Sequence, residues 1–343
     1  MRRTSFTSTE GFGPLPTLLE AACGTRSFER VFQSEGVPLN LAFAEETWIP
    51  LRSLMGLMER SAEETSDELF GLRLGQSMRP EDFGLWAQYA LCANDLRTMI
   101  ERAIRALPFH ESFSKFALDI YEGLARWSYI FYETESVGRR HNIDHALWPM
   151  LTALRYYLGP GWTPLRVEFN YERPLYWRQL EERFGTPVVF DRLRNALVFD
   201  SRLLTSSAIH RTPLANHVTF ADLERNISRR PPRTIDEAAR ELVRARLAET
   251  HTDIEGVARL LGMGPRSLQR KLSGEGFTYR DLLEQVRMER ALNIISESPG
   301  SITDIAFNLG YRDSTSFTRA FRSWNGYPPS QARRAAPSEL YRA

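Results

Sequence analysis

Arg266, Gln269 and Arg270 stand within one short stretch, and Ser314, Thr315, Thr318 and Arg319 form a second such group, beginning 48 positions further on. A guanidinium can donate two parallel hydrogen bonds to guanine, a glutamine can do the same to adenine, and serine or threonine can reach phosphate or base. Arrayed on one face of a helix, these side chains could read base edges in a DNA major groove. Ser267 and Lys271 in the first group, with Arg312 and Arg322 in the second, complete the candidate DNA-contacting set. No catalytic constellation competes with it. The chain has no Gly-rich phosphate loop, HExxH or GxSxG. His110, His141 and His145 lack metal-ligand spacing with carboxylate pairs, and Cys23 and Cys92 are too few for a disulfide framework or a zinc site. No metal, cofactor or enzymatic activity is expected.

The elements that must carry the two groups emerge from an internal repeat. "VARLLGMGPRSLQRKLSGEGF" (257–277) parallels "IAFNLGYRDSTSFTRAFRSWNGY" (305–327). Ala258 pairs with Ala306, Leu261 with Leu309 and Gly262 with Gly310; after one inserted residue Leu268 pairs with Phe317, Arg270 with Arg319 and Leu272 with Phe321. Each copy reads as two short helices joined by a glycine turn, a helix-turn-helix. The small alanines allow a close helix crossing, the leucines fill the corner, and the apolar pair of each second helix faces the core at four-residue spacing. The reading candidates then fall on the opposite face.

Helix-start signals recur through this region: Thr234 with Glu237, Thr252 with Glu255, Thr278 with Asp281, and Ser301 with Asp304. They predict an all-helical domain of six or seven helices. A roughly 20-residue helix from Thr278 to Glu297 joins the two repeats. Its length, about 30 Å at 1.5 Å per residue, is close to the roughly 34 Å of one DNA turn.

The front of the chain is mixed. Residues 96–107 read as helix, 113–133 as two strands around Glu122-Gly123, and 141–159 as helix. A strand in "PLRVEFNYE", a helix in "WRQLEERFG" and strands in "PVVF" and "ALVF" follow, giving an α+β or α/β domain. In "LARWSYIFYE" Ala125, Trp127, Tyr129 and Phe131 alternate with Arg126 and Ser128, as in a half-buried strand. Trp127 and Tyr129 are the candidate effector contacts. The boundary is expected at "NISRRPPRTIDEA" (226–238), where Pro231 and Pro232 stop any helix. That places a first domain at 1–228, which the resemblance given below makes an effector-sensing and dimerisation domain, a linker at 229–234 and a DNA-binding domain at 235–343.

Composition is that of an ordinary globular chain, 42% hydrophobic and 25% charged, with a net charge of +1. Residues 231–343 hold 17 Arg or Lys against 14 Asp or Glu, and the remainder 27 against 29. This imbalance is too small to establish nucleic-acid binding, so the placement of the arginines must do so. The "MRR" start is followed by no apolar stretch, and no run approaches the roughly 20 apolar residues a membrane span needs. With only two cysteines, a cytoplasmic protein away from membranes is expected.

Residues 234–334, through "MGPRSLQRKL", "LLEQVRMERAL" and "SITDIAFNLGYRDSTSFTRAFRSWNGYPPSQAR", resemble the DNA-binding domain of the AraC/XylS family of bacterial transcription regulators. Gly264 and Pro265 depart from the family pattern at the cap of the first reading helix. "EFNYERPLYWRQLEERFGTPVVFDRLRNALVFDSRLL" resembles the N-terminal domain of the family's arabinose-binding-type subgroup. The resemblance implies double-stranded DNA as partner at an asymmetric direct-repeat site beside a promoter. Its base-contacting positions fall on Arg266, Gln269, Arg270, Ser314, Thr315 and Arg319, and Pro328-Pro329 form a structural stop. It also implies an activator that acts with RNA polymerase as a homodimer and answers to a small metabolite. The alternatives are a front domain that only dimerises or contacts protein, and an enzyme such as an alkyl-transferring repair protein. The latter needs a cysteine cluster that Cys23 and Cys92 cannot supply.

Overall fold

A computed structural model describes residues 4–43, 47–132, 137–209, 218–225, 230–297 and 300–333. The chain divides into two compact units, the first comprising Met1–Val37 and Ala44–Pro231, the second Pro38–Phe43 and Pro232–Ala343. Part of the expected boundary segment, residues 226–229, lies outside the described residues.

In the first unit β1 (Phe6–Ser8) and β2 (Trp48–Pro50) form a small antiparallel pair. A five-stranded sheet has the order β3-β4-β7-β5-β6, from β3 (Lys115–Tyr121), β4 (Leu124–Ile130), β5 (Arg166–Glu168), β6 (Val188–Val189) and β7 (Asn195–Asp200). Every pairing is antiparallel except β5 with β6, so of the two classes expected the α+β arrangement is the one adopted. The β3–β4 hairpin turns at Glu122 and Gly123, both with positive φ (49° and 77°), the geometry of the tight turn that suits twisted strands. β4 is central: Trp127 pairs with Leu118 and Leu197, and Tyr129 with Phe116 and Asn195.

Sequence patterning left most of residues 15–91 unassigned, and this region is helical. Helices span Leu15–Cys23, Thr25–Ser34, Leu51–Thr65, Phe70–Gln76 and Leu85–Leu91. In Leu51–Thr65 the run from Ser53 to Met58 is buried without a break, which erases the two-sided period that marks a surface helix. The long Arg139–Leu158 helix packs on Phe70–Gln76 through two glycines. A Cβ at Gly71 would lie 2.2 Å from the His141 carbonyl oxygen, and one at Gly75 2.6 Å from that of His145. This backbone-to-backbone approach holds the polar face of the long helix, Asn142 and His145, deep inside the unit. Asp95 caps Leu96–Ala106 by accepting from the Thr98 N–H at 2.9 Å, and Leu96, Met99, Ile100, Ala103 and Ala106 form its buried stripe.

The second unit has seven helices among the described residues: Ile235–Leu247, Ile254–Leu260, Pro265–Gly274, Tyr279–Glu297, Ile302–Asn308, Ser314–Asn325 and Pro329–Ala332. Thr234/Glu237 and Ser301/Asp304 form reciprocal capping boxes, and the Thr278 N–H and hydroxyl both donate to Asp281. The expected start at Thr252/Glu255 is displaced. Asp253 is the cap, accepting from the Gly256 N–H at 2.6 Å, because Arg246 pairs with its other oxygen and fixes the carboxylate there. Pro328-Pro329 does more than stop a helix, since Pro329 opens the last short helix after Gly326, at φ 79°, has closed the preceding one.

Ala258, Leu261, Leu268 and Leu272 are buried in the first repeat, and Ala306, Leu309, Phe317 and Phe321 in the second. Gly262 (φ 69°) and Gly310 (φ 72°) take the left-handed conformation that the tight turns require. Ala306 is fully enclosed, so Ala306→Leu is expected to overpack the crossing by about 1 to 3 kcal/mol and weaken DNA binding without altering a reading residue. Denaturant unfolding together with operator titration checks this; a variant that melts and binds like the parent would show the crossing to be elsewhere.

Candidate nucleic-acid interface and effector cavity

The helix Pro265–Gly274 buries Leu268 and Leu272 and exposes Arg266, Gln269 and Arg270, with Ser267 and Lys271 half-buried on its flanks. Its cap, Gly264, provides no side-chain bond; Pro265 lacks the N–H that a side chain would otherwise have to satisfy. Ser314–Asn325 buries Phe317 and Phe321 and exposes Thr315, Arg319 and Arg322, with Ser314 and Thr318 half-buried and Arg312 exposed just before it. Asp313 caps this helix by accepting from the Ser316 N–H at 2.7 Å. The Thr318 hydroxyl donates to the Ser314 carbonyl at 2.8 Å, leaving its lone pairs rather than its proton for an outside partner. The repeat thus brings the two sets of residues onto two equivalent helix faces.

Charge pairing separates these faces from the scaffold beneath them. Arg240, Arg244, Arg246 and Arg280 each have a carboxylate partner within the unit. Among the described residues no carboxylate forms an ion pair with Arg266, Arg270, Arg312, Arg319 or Arg322. Unneutralised guanidinium groups on a helix face suit phosphate and guanine.

Arg287, on the connecting helix Tyr279–Glu297, was not among the residues expected to matter. Its Nε donates to the Leu309 carbonyl at 2.8 Å and its Nη2 to the Gly310 carbonyl at 2.9 Å, while the guanidinium lies 4.6 Å from the Tyr311 ring centre. These carbonyls end Ile302–Asn308, so the arginine satisfies acceptors that the helix itself cannot, at its negative end. Arg246 plays a comparable part in the first repeat. It pairs with the cap Asp253 and lies so close over Gly256 that a Cβ there would come within 2.1 Å of its guanidinium.

The first unit holds a cavity of about 80 Å³, partly open to solvent, between β3–β4, the Arg139–Leu158 helix and the helices Leu85–Leu91 and Leu96–Ala106. Trp127 and Tyr129 both line it, with Trp86, Phe116 and His110 completing an aromatic wall. Trp86 lies 5.2 Å from His110 and 6.1 Å from Phe116, and Phe116 lies 5.5 Å from Trp127. Tyr129 donates from its hydroxyl to Glu111 at 2.8 Å, and the Asn142 amide reaches the same hydroxyl at 3.4 Å. Burial pushes the Glu111 carboxyl up to about 7 and the His145 imidazole down to about 4. His110, buried and facing His145, falls to about 3. Trp86 Nε1, Trp127 Nε1 and His110 Nδ1 are buried without a hydrogen-bond partner.

Sequence reasoning named Trp127 and Tyr129 but passed over Trp86, His110, Glu111, Asn142 and His145. A signal was available for part of this wall: Asn142, Ala146, Pro149, Met150 and Ala153 recur at helical spacing and line one face. Among the described residues no group of His, Cys, Asp and Glu is arranged to hold a metal, and no helix is long and apolar enough to cross a membrane.

The duplicated helix-turn-helix with its two reading faces defines a DNA-binding transcription regulator. Residues 26–207 match the family described as the arabinose-binding domain of AraC transcription regulators, and 257–335 match a helix-turn-helix domain. The chain belongs to the AraC family of transcription regulators. It is 31% identical over 186 residues to the ornithine utilization regulator of Pseudomonas aeruginosa, covering 52% of this chain and 53% of that protein. It is 27% identical over 304 residues to the transcriptional regulator VirS of Mycobacterium tuberculosis, covering 87% and 88%. Among solved structures, the transcriptional regulator CdpR of Pseudomonas aeruginosa aligns with a TM-score of 0.40 and 22% identity, over 90% of this chain and 98% of that one.

Two outcomes follow from this geometry. Arg270→Ala and Arg319→Ala are each expected to cost about 1 to 3 kcal/mol in specific binding with unchanged helicity; unaltered operator affinity in both would remove them from the readout. The second concerns Glu111, which keeps its proton up to about pH 7 when folded but releases it at ordinary carboxylate pH when unfolded. Its contribution to stability is complete at low pH and is lost as pH rises through 7. Glu111→Gln cannot ionise and is expected to flatten the decline in denaturation midpoint between about pH 5 and 8. Asp144, also pushed up to about 7 by burial, leaves a residual slope. Identical pH profiles for parent and variant would show that Glu111 is ionised in the fold.

Proposed function

We propose that this protein is a transcription activator that binds promoter DNA through its two reading helices and answers to a small molecule held in the cavity of its first unit. The observation that carries the effector reading is the cavity itself, a partly open aromatic pocket whose lining residues include buried polar groups without protein partners. The relatives are transcription regulators, which supports a cytoplasmic, non-enzymatic role, and the name of one ties it to ornithine utilization, a setting in which a metabolite signal has a place. In this reading residues 1–228 sense and pair, 229–234 connect, and 235–343 bind DNA. DNA contacts come from Arg266, Ser267, Gln269, Arg270 and Lys271, and from Arg312, Ser314, Thr315, Thr318, Arg319 and Arg322. A homodimer formed through the first unit would make binding of the second chain effectively intramolecular and strengthen occupancy of paired sites. A regulator bound next to a promoter is placed to recruit RNA polymerase.

A fragment starting near Arg233 keeps the Thr234 capping box and both reading helices, and is expected to fold and bind the operator without regulation. Its affinity should fall steeply with salt, and each phosphate contact removed should lower the log–log slope by about 0.9. Full-length protein should bind more tightly and should activate transcription in a purified system only when the effector is present. A folded fragment with no salt-dependent DNA binding would sink the DNA-binding part. A full-length protein whose output never changes with any metabolite would sink the effector part.

A further inference from the structure

Resting on the effector reading above, we propose that the ligand of this cavity is a small uncharged molecule, an apolar body of about one ring bearing a hydrogen-bond acceptor such as a carbonyl, and neither a sugar nor an amino acid. Charge is the first argument. No lysine or arginine lines the cavity, and the two histidines that do are buried and neutral. A ligand carboxylate would therefore be taken out of water with no cation to receive it, which costs far more than an aromatic wall returns. The carboxyl of Glu111 already accepts from Tyr129 at 2.8 and 3.1 Å through its two oxygens, so an ammonium would have to disrupt that contact.

The polar inventory is the second argument. A sugar needs a partner for each of its hydroxyls, whereas this wall is chiefly alanine, leucine, methionine, proline and aromatic rings. Its polar groups largely satisfy one another along the chain Asn142, Tyr129, Glu111. The unmet needs belong to Trp86 Nε1, Trp127 Nε1 and His110 Nδ1, buried nitrogens of lining residues that an acceptor reaches only as the wall widens around it. An indole N–H can only donate, so what is missing at the two tryptophans is an acceptor. Size is the third argument. The cavity of about 80 Å³ is smaller than the roughly 150 Å³ of an apolar cavity that holds benzene, so one ring already requires the wall to widen.

The test uses full-length protein and five probes of similar size: cyclopentanone, cyclopentane, cyclopentanecarboxylate, cyclopentylamine and L-arabinose. Thermal shift and tryptophan fluorescence are read for the parent, for Trp127→Phe, which removes one donor and three side-chain atoms, and for Ala146→Leu, which fills the cavity. Cyclopentanone is expected to bind saturably at millimolar concentration, more tightly than cyclopentane, while the charged probes and arabinose do not bind. Trp127→Phe is expected to weaken cyclopentanone several-fold relative to cyclopentane, which reports the space that the smaller ring opens for both, and Ala146→Leu to abolish both. If Ala146→Leu does not fold, the contrast between the two neutral probes in Trp127→Phe decides. Binding of the carboxylate, the amine or arabinose at a site that Ala146→Leu blocks would overturn the ligand class while leaving the cavity as the effector site. Equal loss or no loss of both neutral probes in Trp127→Phe would overturn the acceptor. Silence of the parent towards every probe would overturn this ligand class, while the effector reading stands or falls on the transcription assay above.

Discussion

The second reading head depends on a single guanidinium. Arg287 leaves the middle of the connecting helix and ends on the carbonyls of Leu309 and Gly310, the turn from which Ser314–Asn325 departs. A helix-turn-helix held only by apolar side chains could rock on its neighbour, because hydrophobic contact has no preferred direction. Two bonds from a planar donor to two consecutive carbonyls have one. Burial disfavours the charged form of Arg287, yet hydrogen bonds to the helix-end carbonyls and the face of Tyr311 offset that cost. The connecting helix, 19 residues or about 28 Å long, is thereby tied at its middle to one head. The direction in which that head points is set within the scaffold and not by DNA.

The use of charge in the second unit follows a division of labour. Arg287 excepted, arginines of the scaffold are matched: Arg244 with Glu289 across two helices, Arg246 with Asp253 at the next helix start, and Arg280 with Glu284 within its own helix. The candidate DNA contacts form no ion pair among the described residues, although Asp313 feels the charge of Arg319, so little partner exchange would oppose their transfer to phosphate or base. A unit with so small a net positive balance can still present a cationic surface, because its acids are spent on caps and internal pairs. Asp253, Asp281, Asp304 and Asp313 all sit at helix starts. Sign at a surface is decided by where charges are placed more than by how many there are.

This also explains what could be seen in the sequence and what could not. The helix-turn-helix pair was legible because its rules are local: an alanine, a glycine and two apolar residues within some twenty positions determine crossing, turn and face, and they occur twice. The one misplaced start, Thr252 for Asp253, came from a long-range partner, Arg246, that a capping rule does not include. The cavity obeys no local rule. Trp86, His110, Trp127 and Asn142 come from separate elements, and each is individually indistinguishable from core. Trp127 and Tyr129 stood out only because a strand alternates. Leu51–Thr65 and Phe70–Gln76 escaped notice because they are buried on more than one side and their apolar residues carry no clear period, whereas Thr25–Ser34, with Phe28, Val31 and Phe32 on one face, did carry one.

A buried polar atom without a partner is costly, by about 1 to 3 kcal/mol each, and the wall of this cavity holds three. Phe in place of either tryptophan would remove the unmet donor and keep an aromatic ring, at the cost of three side-chain atoms. Their presence is therefore hard to explain as packing and easy to explain as waiting for a ligand. A molecule that supplies an acceptor to those donors binds the folded unit alone and stabilises it in proportion to the logarithm of its concentration. The groups that make the empty unit less stable are thus the same ones that make its stability sensitive to a ligand. On the effector reading proposed above, a well-packed wall at the junction of the sheet and the long helix would give up that sensitivity.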